Sequence, residues 1–301
     1  MLNPPTHFNR TRIAPTPSGF LHLGNILSFA VTAALAEKTG AKILLRIDDL
    51  DQARVNKLYL QDIFDTLNFL EIPWGEGPRN VKDFEDSYSQ MHRMTMYREA
   101  LRQMADEKKV FACTCSRRQL SNAEPCACFN MQISLTTENA GWRLITGHSP
   151  ELAVKNFDGK LARTVLPAEM HVFAVRKKDG FPAYQLTSVI DDLFYGVDFI
   201  VRGEDLWPST LAQHTLASAL GRDNFTNIAF YHHPLLMEAS GQKLSKSAGA
   251  TSVKYLRESG KSPVDVYQLI SSMMGVEEPV ANWRQLGEIA ITRFPGQQSG
   301  H

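Results

Sequence analysis

Arg12-Ile-Ala-Pro-Thr-Pro-Ser-Gly-Phe-Leu-His-Leu-Gly-Asn25 is the stretch around which the rest of the chain is organised. It reads as a short strand, Thr11 to Ala14, then a rigid turn, then the start of a helix. Pro15 and Pro17 remove two backbone donors and hold the turn extended, while Gly19 and Gly24 let the backbone bend or approach a bound group. From Ile26 to Lys38 the chain is rich in Ala and Leu, and Gly40 is a suitable helix C-cap. A glycine-bearing turn that opens a helix is a natural phosphate site, because its N–H groups and the helix dipole face the anion. His22 sits at that mouth. There it either supplies a donor or a positive charge, or is a structural residue at a helix start.

A second stretch, Lys243-Leu-Ser-Lys-Ser247, follows an apolar strand-like run, Ile228 to Met237, and a turn at Ala239-Ser-Gly241. Two lysines three apart with serines around them make a cationic loop suited to phosphates; the alternative is a solvated surface loop.

Between these two stretches the pattern is that of a doubly wound parallel sheet. Residues 41–47 read as a buried strand, followed by the acidic turn Asp48-Asp-Leu-Asp51. A helix from about Asn56 to Leu70 carries Leu60, Ile63, Phe64, Leu67 and Leu70 on one face. Strand and helix in alternation place ligands at the carboxyl ends of the strands. Pro73 to Pro78 breaks the pattern, and a helical run from Asp86 to Lys108 follows, its Met91, Met94 and Met104 spaced as core residues. From Val110 to about Met170 the pattern weakens and reads as an insertion. Alternation returns at His171–Val175, a helix spans Leu186–Leu193, and Val197–Val201 is a buried strand. Pro208 starts a helix ending at Gly221, and Pro263 starts another. The expected organisation is a first core half (residues 1–80), an insertion (81–170), a second core half (171–247) and a short helical C-terminal region (248–301).

With 301 residues, 43% hydrophobic and 21% charged, the chain has the composition of a globular enzyme. It shows no apolar run of eighteen residues and no signal peptide, so the cytoplasm is the expected location and no membrane partner is expected. Lys plus Arg balance Asp plus Glu at 32 each, so any nucleic-acid partner has to meet a local basic surface. The four cysteines, Cys113-Thr-Cys115 and Cys126-Ala-Cys128, all fall within sixteen residues. Two C-x-C pairs so close fit a closed tetrahedral zinc site; free thiols or a redox pair are the alternative. His148 and His171 lie further along the chain and are weaker ligand candidates.

Taken together, His22-Leu-Gly-Asn25 and Lys243-Leu-Ser-Lys-Ser247 resemble the two signatures of class I aminoacyl-tRNA synthetases, HIGH and KMSKS. Arg12-Ile-Ala-Pro-Thr-Pro-Ser-Gly19, Leu45-Arg-Ile-Asp48, Trp74-Gly-Glu-Gly-Pro78, Val189-Ile-Asp-Asp192 and Val201-Arg-Gly-Glu-Asp205 narrow the resemblance to the glutamyl-tRNA synthetase branch. The resemblance implies a Rossmann-type α/β core split by a zinc-bearing insertion. The chain runs only some fifty residues past the lysine stretch, where a full glutamyl-tRNA synthetase continues into an anticodon-binding region. In this it is similar to shortened members of the branch, which attach glutamate to the queuosine base in the anticodon of tRNA(Asp).

The resemblance also assigns roles. The partners it implies are ATP, L-glutamate and the anticodon stem-loop of tRNA(Asp), with Mg²⁺ carried by the ATP. Arg12, Tyr184 and Arg202 would take the glutamate side chain, with Thr16 and Asp48 completing the amino-acid pocket. Paired donors of two guanidiniums suit a carboxylate. Asp48 stands where the branch has a Glu, shortening the reach of the carboxylate by about 1.5 Å. Thr16 stands for a Ser and keeps the hydroxyl. His22, Gly24, Asn25, Lys243 and Lys246 would meet the nucleotide, with His22, Lys243 and Lys246 stabilising charge on the phosphates. The relatives bind zinc with three Cys and a Tyr; here a fourth Cys takes the place of the Tyr, giving Cys113, Cys115, Cys126 and Cys128 as ligands.

Overall fold

The computed structural model describes residues 7–120, 126–147, 151–236 and 252–293. Lys243, Lys246 and His148 lie outside the described residues.

Along the chain, β1 (Arg10–Ile13) leads into α1 (Leu23–Thr39), β2 (Lys42–Leu45) and α2 (Lys57–Phe69). A short α3 (Val81–Asp83) continues through a π turn (Phe84–Tyr88) and a 3-10 turn (Gln90–Arg93) into α4 (Met94–Asp106). There follow β3 (Val110–Cys113), α5 (Arg117–Leu120), β4 (Gly141–Leu144), β5 (Leu152–Asn156), β6 (Leu161–Thr164) and β7 (Ala174–Arg176). The second half holds α6 (Tyr184–Phe194), β8 (Phe199–Gly203), α7 (Trp207–Ala219) and β9 (Ala229–His233). The described chain finishes with α8 (Val253–Glu258), α9 (Pro263–Met273) and α10 (Trp283–Arg293).

The helix expected from Asp86 starts at Met94 instead. Ser89 is extended, with φ −53° and ψ 141°. Its hydroxyl donates to Asp49 Oδ2 at 2.5 Å, and the Gln90 amide donates to Asp49 Oδ1 at 2.8 Å. A buried carboxylate that collects these donors takes the chain out of the helical hydrogen-bond pattern.

The chain forms two compact units, the first holding residues 7–92, 197–205, 230–236 and 252–293, the second the remaining described residues. In the first unit β1 and β2 are parallel, with Arg12 opposite Leu44. The pairing continues beyond the strands, since the amides of Arg46 and Asp48 donate to the carbonyls of Ile13 and Pro15, each at 2.9 Å. On the other edge of β1 runs β8. The Asp198 amide donates to Arg10 O at 3.1 Å and Arg12 Nη1 donates to Val201 O at 3.2 Å, so the two strands advance in the same direction. β9 is the next neighbour of β8. Apolar β2 and β8 are buried along nearly their whole length, as in sheets covered on both faces.

Helix α1 ends on Gly40, whose φ of 74° is the left-handed cap conformation. It packs against α10 so closely that a Cβ on Gly287 would lie 2.6 Å from both Ala30 O and Ala34 Cβ. Glycine is therefore required at that crossing. Arg284 holds Glu37 with two hydrogen bonds of 2.7 Å on the rim of the same contact.

The second unit carries the antiparallel sheet β3-β4-β7 and the antiparallel hairpin β5–β6. Its α4–α6 contact centres on a buried ion pair. Arg93 donates to both carboxylate oxygens of Asp191, at 2.8 and 3.1 Å, and the Tyr97 hydroxyl donates to Oδ1 at 2.6 Å. Burial works against the Arg93 charge, but its bonds to Asp191 outweigh this and raise its pKa above the ordinary value. Among the described residues no helix is long and apolar enough to cross a membrane.

Candidate functional site

His22 is the N-cap residue of α1, extended at φ −109° and ψ 168°. Its amide donates to Asn25 Oδ1 at 3.0 Å, and the Asn25 amide donates back to His22 O at 2.9 Å. Asn25, expected to face the nucleotide, thus also closes the first turn of the helix with its carbonyl oxygen. Gly24 makes room for the imidazole: a Cβ there would stand 3.1 Å from His22 Cε1 and Nδ1. The turn before His22 is held from elsewhere in the unit. Val253 N donates to Leu21 O at 2.8 Å, and Ser252 forms an antiparallel bridge with His22.

The carboxyl ends of β2, β1 and β8 carry three of the residues expected for the amino-acid pocket, Asp48, Arg12 and Arg202. Arg12 and Arg202 are both buried, and Arg202 lies over the Phe230 ring with its guanidinium carbon 5.0 Å from the centroid. Arg12 reaches the Val201 carbonyl beside Arg202. Asp48, at the end of the β2 extension, is clamped by Arg46, with Nε to Oδ1 at 2.7 Å and Nη2 to Oδ2 at 3.0 Å. Arg46 was not among the expected site residues. The signal was present, since i and i+2 share one face of an extended chain, and an arginine inside the apolar run 43–47 needs a carboxylate there. Thr16 is exposed on the turn between Pro15 and Pro17.

Arg12, Thr16, His22, Gly24, Asn25, Asp48 and Arg202 all belong to the first unit. Tyr184 opens α6 in the second unit and is 46% exposed. The described residues therefore place two of the three expected side-chain-carboxylate ligands in one unit. The chemistry available there is a set of buried guanidinium donors and one clamped carboxylate at parallel strand ends, in the same unit as a helix mouth that bears an imidazole.

In the second unit the sulfur atoms of Cys113, Cys115, Cys126 and Cys128 all lie within 4.8 Å of one another. Neighbouring sulfurs are 3.4, 3.7 and 3.5 Å apart (113–126, 115–126 and 115–128), and all four cysteines are free. A tetrahedron with Zn–S bonds of about 2.3 Å has S···S edges of about 3.8 Å, so the four thiols fit the metal, while a disulfide needs about 2.05 Å. β3 supplies Cys113, and a 3-10 turn, Ala127–Phe129, supplies Cys128. His171 is turned elsewhere, its Nε2 bonding to Leu166 O at 3.0 Å. Bound zinc would supply a closed structural node at this place.

The parallel strands carry buried guanidiniums near their ends, in the same unit as a helix that opens on an imidazole. Residues 9–130 and 148–282 match the model of class I tRNA synthetases (E and Q), catalytic domain, and the chain belongs to that family of ligases. It is 33% identical to the Glutamyl-Q tRNA(Asp) synthetase of Symbiobacterium thermophilum, across 94% of this chain and 93% of that one. It is 32% identical to the Glutamate--tRNA ligase of Dehalococcoides mccartyi, across 87% of this chain but only 55% of the ligase. The crystal structure of Glutamate-tRNA Synthetase from Elizabethkingia anophelis has a similar fold, with a TM-score of 0.69 at 20% identity over 93% of this chain and 65% of that one.

Proposed function

We propose that this chain activates L-glutamate with ATP, without requiring tRNA, and transfers the glutamyl group to queuosine in the anticodon of tRNA(Asp). The observation that carries the reading is the pair of buried guanidiniums, Arg12 and Arg202, at adjacent strand ends in a chain of this family. Paired Arg donors suit a side-chain carboxylate better than an apolar or cationic group. The likeness to the Symbiobacterium relative over 93% of its length supports the choice of acceptor.

In the first step a glutamate α-carboxylate oxygen attacks the α-phosphorus of ATP. The bond to the bridging oxygen breaks and pyrophosphate leaves. No enzyme nucleophile takes part, and rate comes from positioning and from positive charge near the developing oxyanions. His22 at the mouth of α1 is assigned to the phosphates, as are Lys243 and Lys246, and Mg²⁺ arrives with the nucleotide. Asp48, held by Arg46, is assigned to the substrate ammonium, and Tyr184 to the side-chain carboxylate. In the second step a hydroxyl of the acceptor attacks the adenylate carbonyl carbon, and AMP departs.

Two assays test this. Pyrophosphate exchange screened over the amino acids should respond to glutamate and need no tRNA; exchange only after tRNA addition refutes the independence. Labelled glutamate should load tRNA(Asp) that contains queuosine even after its terminal nucleotide has been removed. If trimming abolishes loading, the acceptor is the terminal ribose. That second reading is the one favoured by the identity to the Dehalococcoides ligase.

A further inference from the structure

Leu21, the residue before His22, is buried, and its backbone carbonyl is met by a part of the first unit distant in sequence. Val253 N of α8 donates to that carbonyl at 2.8 Å. Helix α8 is in turn tied to α2. Arg257 of α8 donates from Nη2 to Asp62 Oδ1 at 3.1 Å and approaches Asp65 Oδ2 at 3.8 Å. One residue earlier, Phe20 is flanked edge-on by Tyr59 of α2, with centroids 4.8 Å apart, and by the Lys254 ammonium of α8 at 5.4 Å. The histidine turn is thus gripped between two helices whose grip is closed by one ion pair.

We infer that Asp62 and Arg257 are positioning residues for His22, acting through the Leu21 backbone and not on substrate. A buried carboxylate is costly unless it serves as an acceptor. Asp62 is only 3% exposed, and burial raises its pKa above the ordinary value even with Arg257 beside it. Its neighbours on α2 are an apolar set, Leu60, Ile63, Phe64 and Leu67, that would hold the helix without it. What the carboxylate adds is a fixed acceptor for Arg257, and so an anchor for the helix whose first amide holds the Leu21 carbonyl. Neither residue lies in the signatures that mark the site, and α8 is remote in sequence from both α2 and His22.

The inference rests on the reading of His22 as a phosphate-contacting group, so the test is built to separate the two. Asp62→Asn, Arg257→Gln and Arg257→Lys are made in the full chain and assayed well below their melting temperatures. The rate constant of adenylate formation should fall about tenfold in D62N and R257Q, the order expected of a sub-ångström misplacement, with glutamate KM changed less than about twofold. R257K, which keeps a donor, should recover most of the loss. In a His22→Ala background the D62N effect should vanish, because two changes acting through one group are not additive. Full additivity overturns the inference. The His22 Cε1–H resonance supplies a readout independent of activity: it should shift in D62N and in R257Q. An unmoved resonance in a folded variant overturns the inference even if the parent proves inactive, whereas a parent that supports no exchange while the resonance does shift refutes the functional reading alone.

Discussion

In the second unit, four thiols drawn from residues 113–128 meet within 4.8 Å. In the first, the strand-end site draws Arg12, Asp48 and Arg202 from three strands scattered along the chain. The cysteine cluster is a local object: a strand end and a short turn bring the ligands together, and any metal that binds them adds to the stability of that piece. The strand-end site is an assembled object. Its geometry depends on backbone pairings of β1 with β2 and β8, and on helices that back those strands. A local site fails when one of its own residues changes, while an assembled site also answers to residues far from any ligand.

The largest effect is expected at the local site. Cys126→Ser should lower zinc content from one per chain to near zero, read by metal analysis, and should lower the melting temperature. Metal-free protein of unchanged stability would show that the thiols are not a structural node. Next comes Arg202→Gln, which leaves the substrate carboxylate short of a buried charged donor. Glutamate kcat/KM in the exchange assay should drop about a hundredfold, ~3 kcal/mol. A drop below about threefold would remove Arg202 from the pocket.

The assembled character is tested further away by Gly287→Ala. The added methyl meets Ala30 O and Ala34 Cβ at 2.6 Å, so α10 must move off α1. Overpacking of this kind costs about 1–3 kcal/mol, read as a lower denaturant midpoint. If stability is unchanged, the crossing is looser than described. The smallest effect belongs to Arg284→Ala on the same helix. The pair with Glu37 is solvent-exposed, and such pairs contribute little. Hydrogen bonding from Arg284 holds the Glu37 carboxyl below its ordinary 4.5, so what the pair contributes is present above that pH and is lost as pH falls through the lowered value. The melting curves of parent and variant should differ slightly at neutral pH and coincide in acid; a difference that persists in acid assigns the effect to lost packing.

How much of this was legible beforehand follows the same division. The helix read from Ile26 to Lys38 is α1, with its glycine cap at Gly40, and Pro263 opens α9 as expected. Such features depend on propensity and capping within a few residues. The misplaced start of α4 came from Asp49, a residue forty positions away that no local pattern connects to Ser89 and Gln90. Arg46 carried a readable signal in its spacing from Asp48. Asp62 and Arg257 carried none, because nothing in a helical repeat says which distant cation a buried carboxylate will meet.

By itself the sequence determined the strand–helix alternation, the turn before α1 and the cysteine spacing. Each is set by backbone preferences and side-chain types over a short span of chain. Only the tertiary structure decided that Arg12 reaches Val201, and that α8, tied to α2, holds the residue ahead of His22. The physical reason is that these contacts join segments whose separation along the chain carries no periodic signal. Their partners are chosen by the packing of strands and helices, which fixes where each buried donor finds its acceptor.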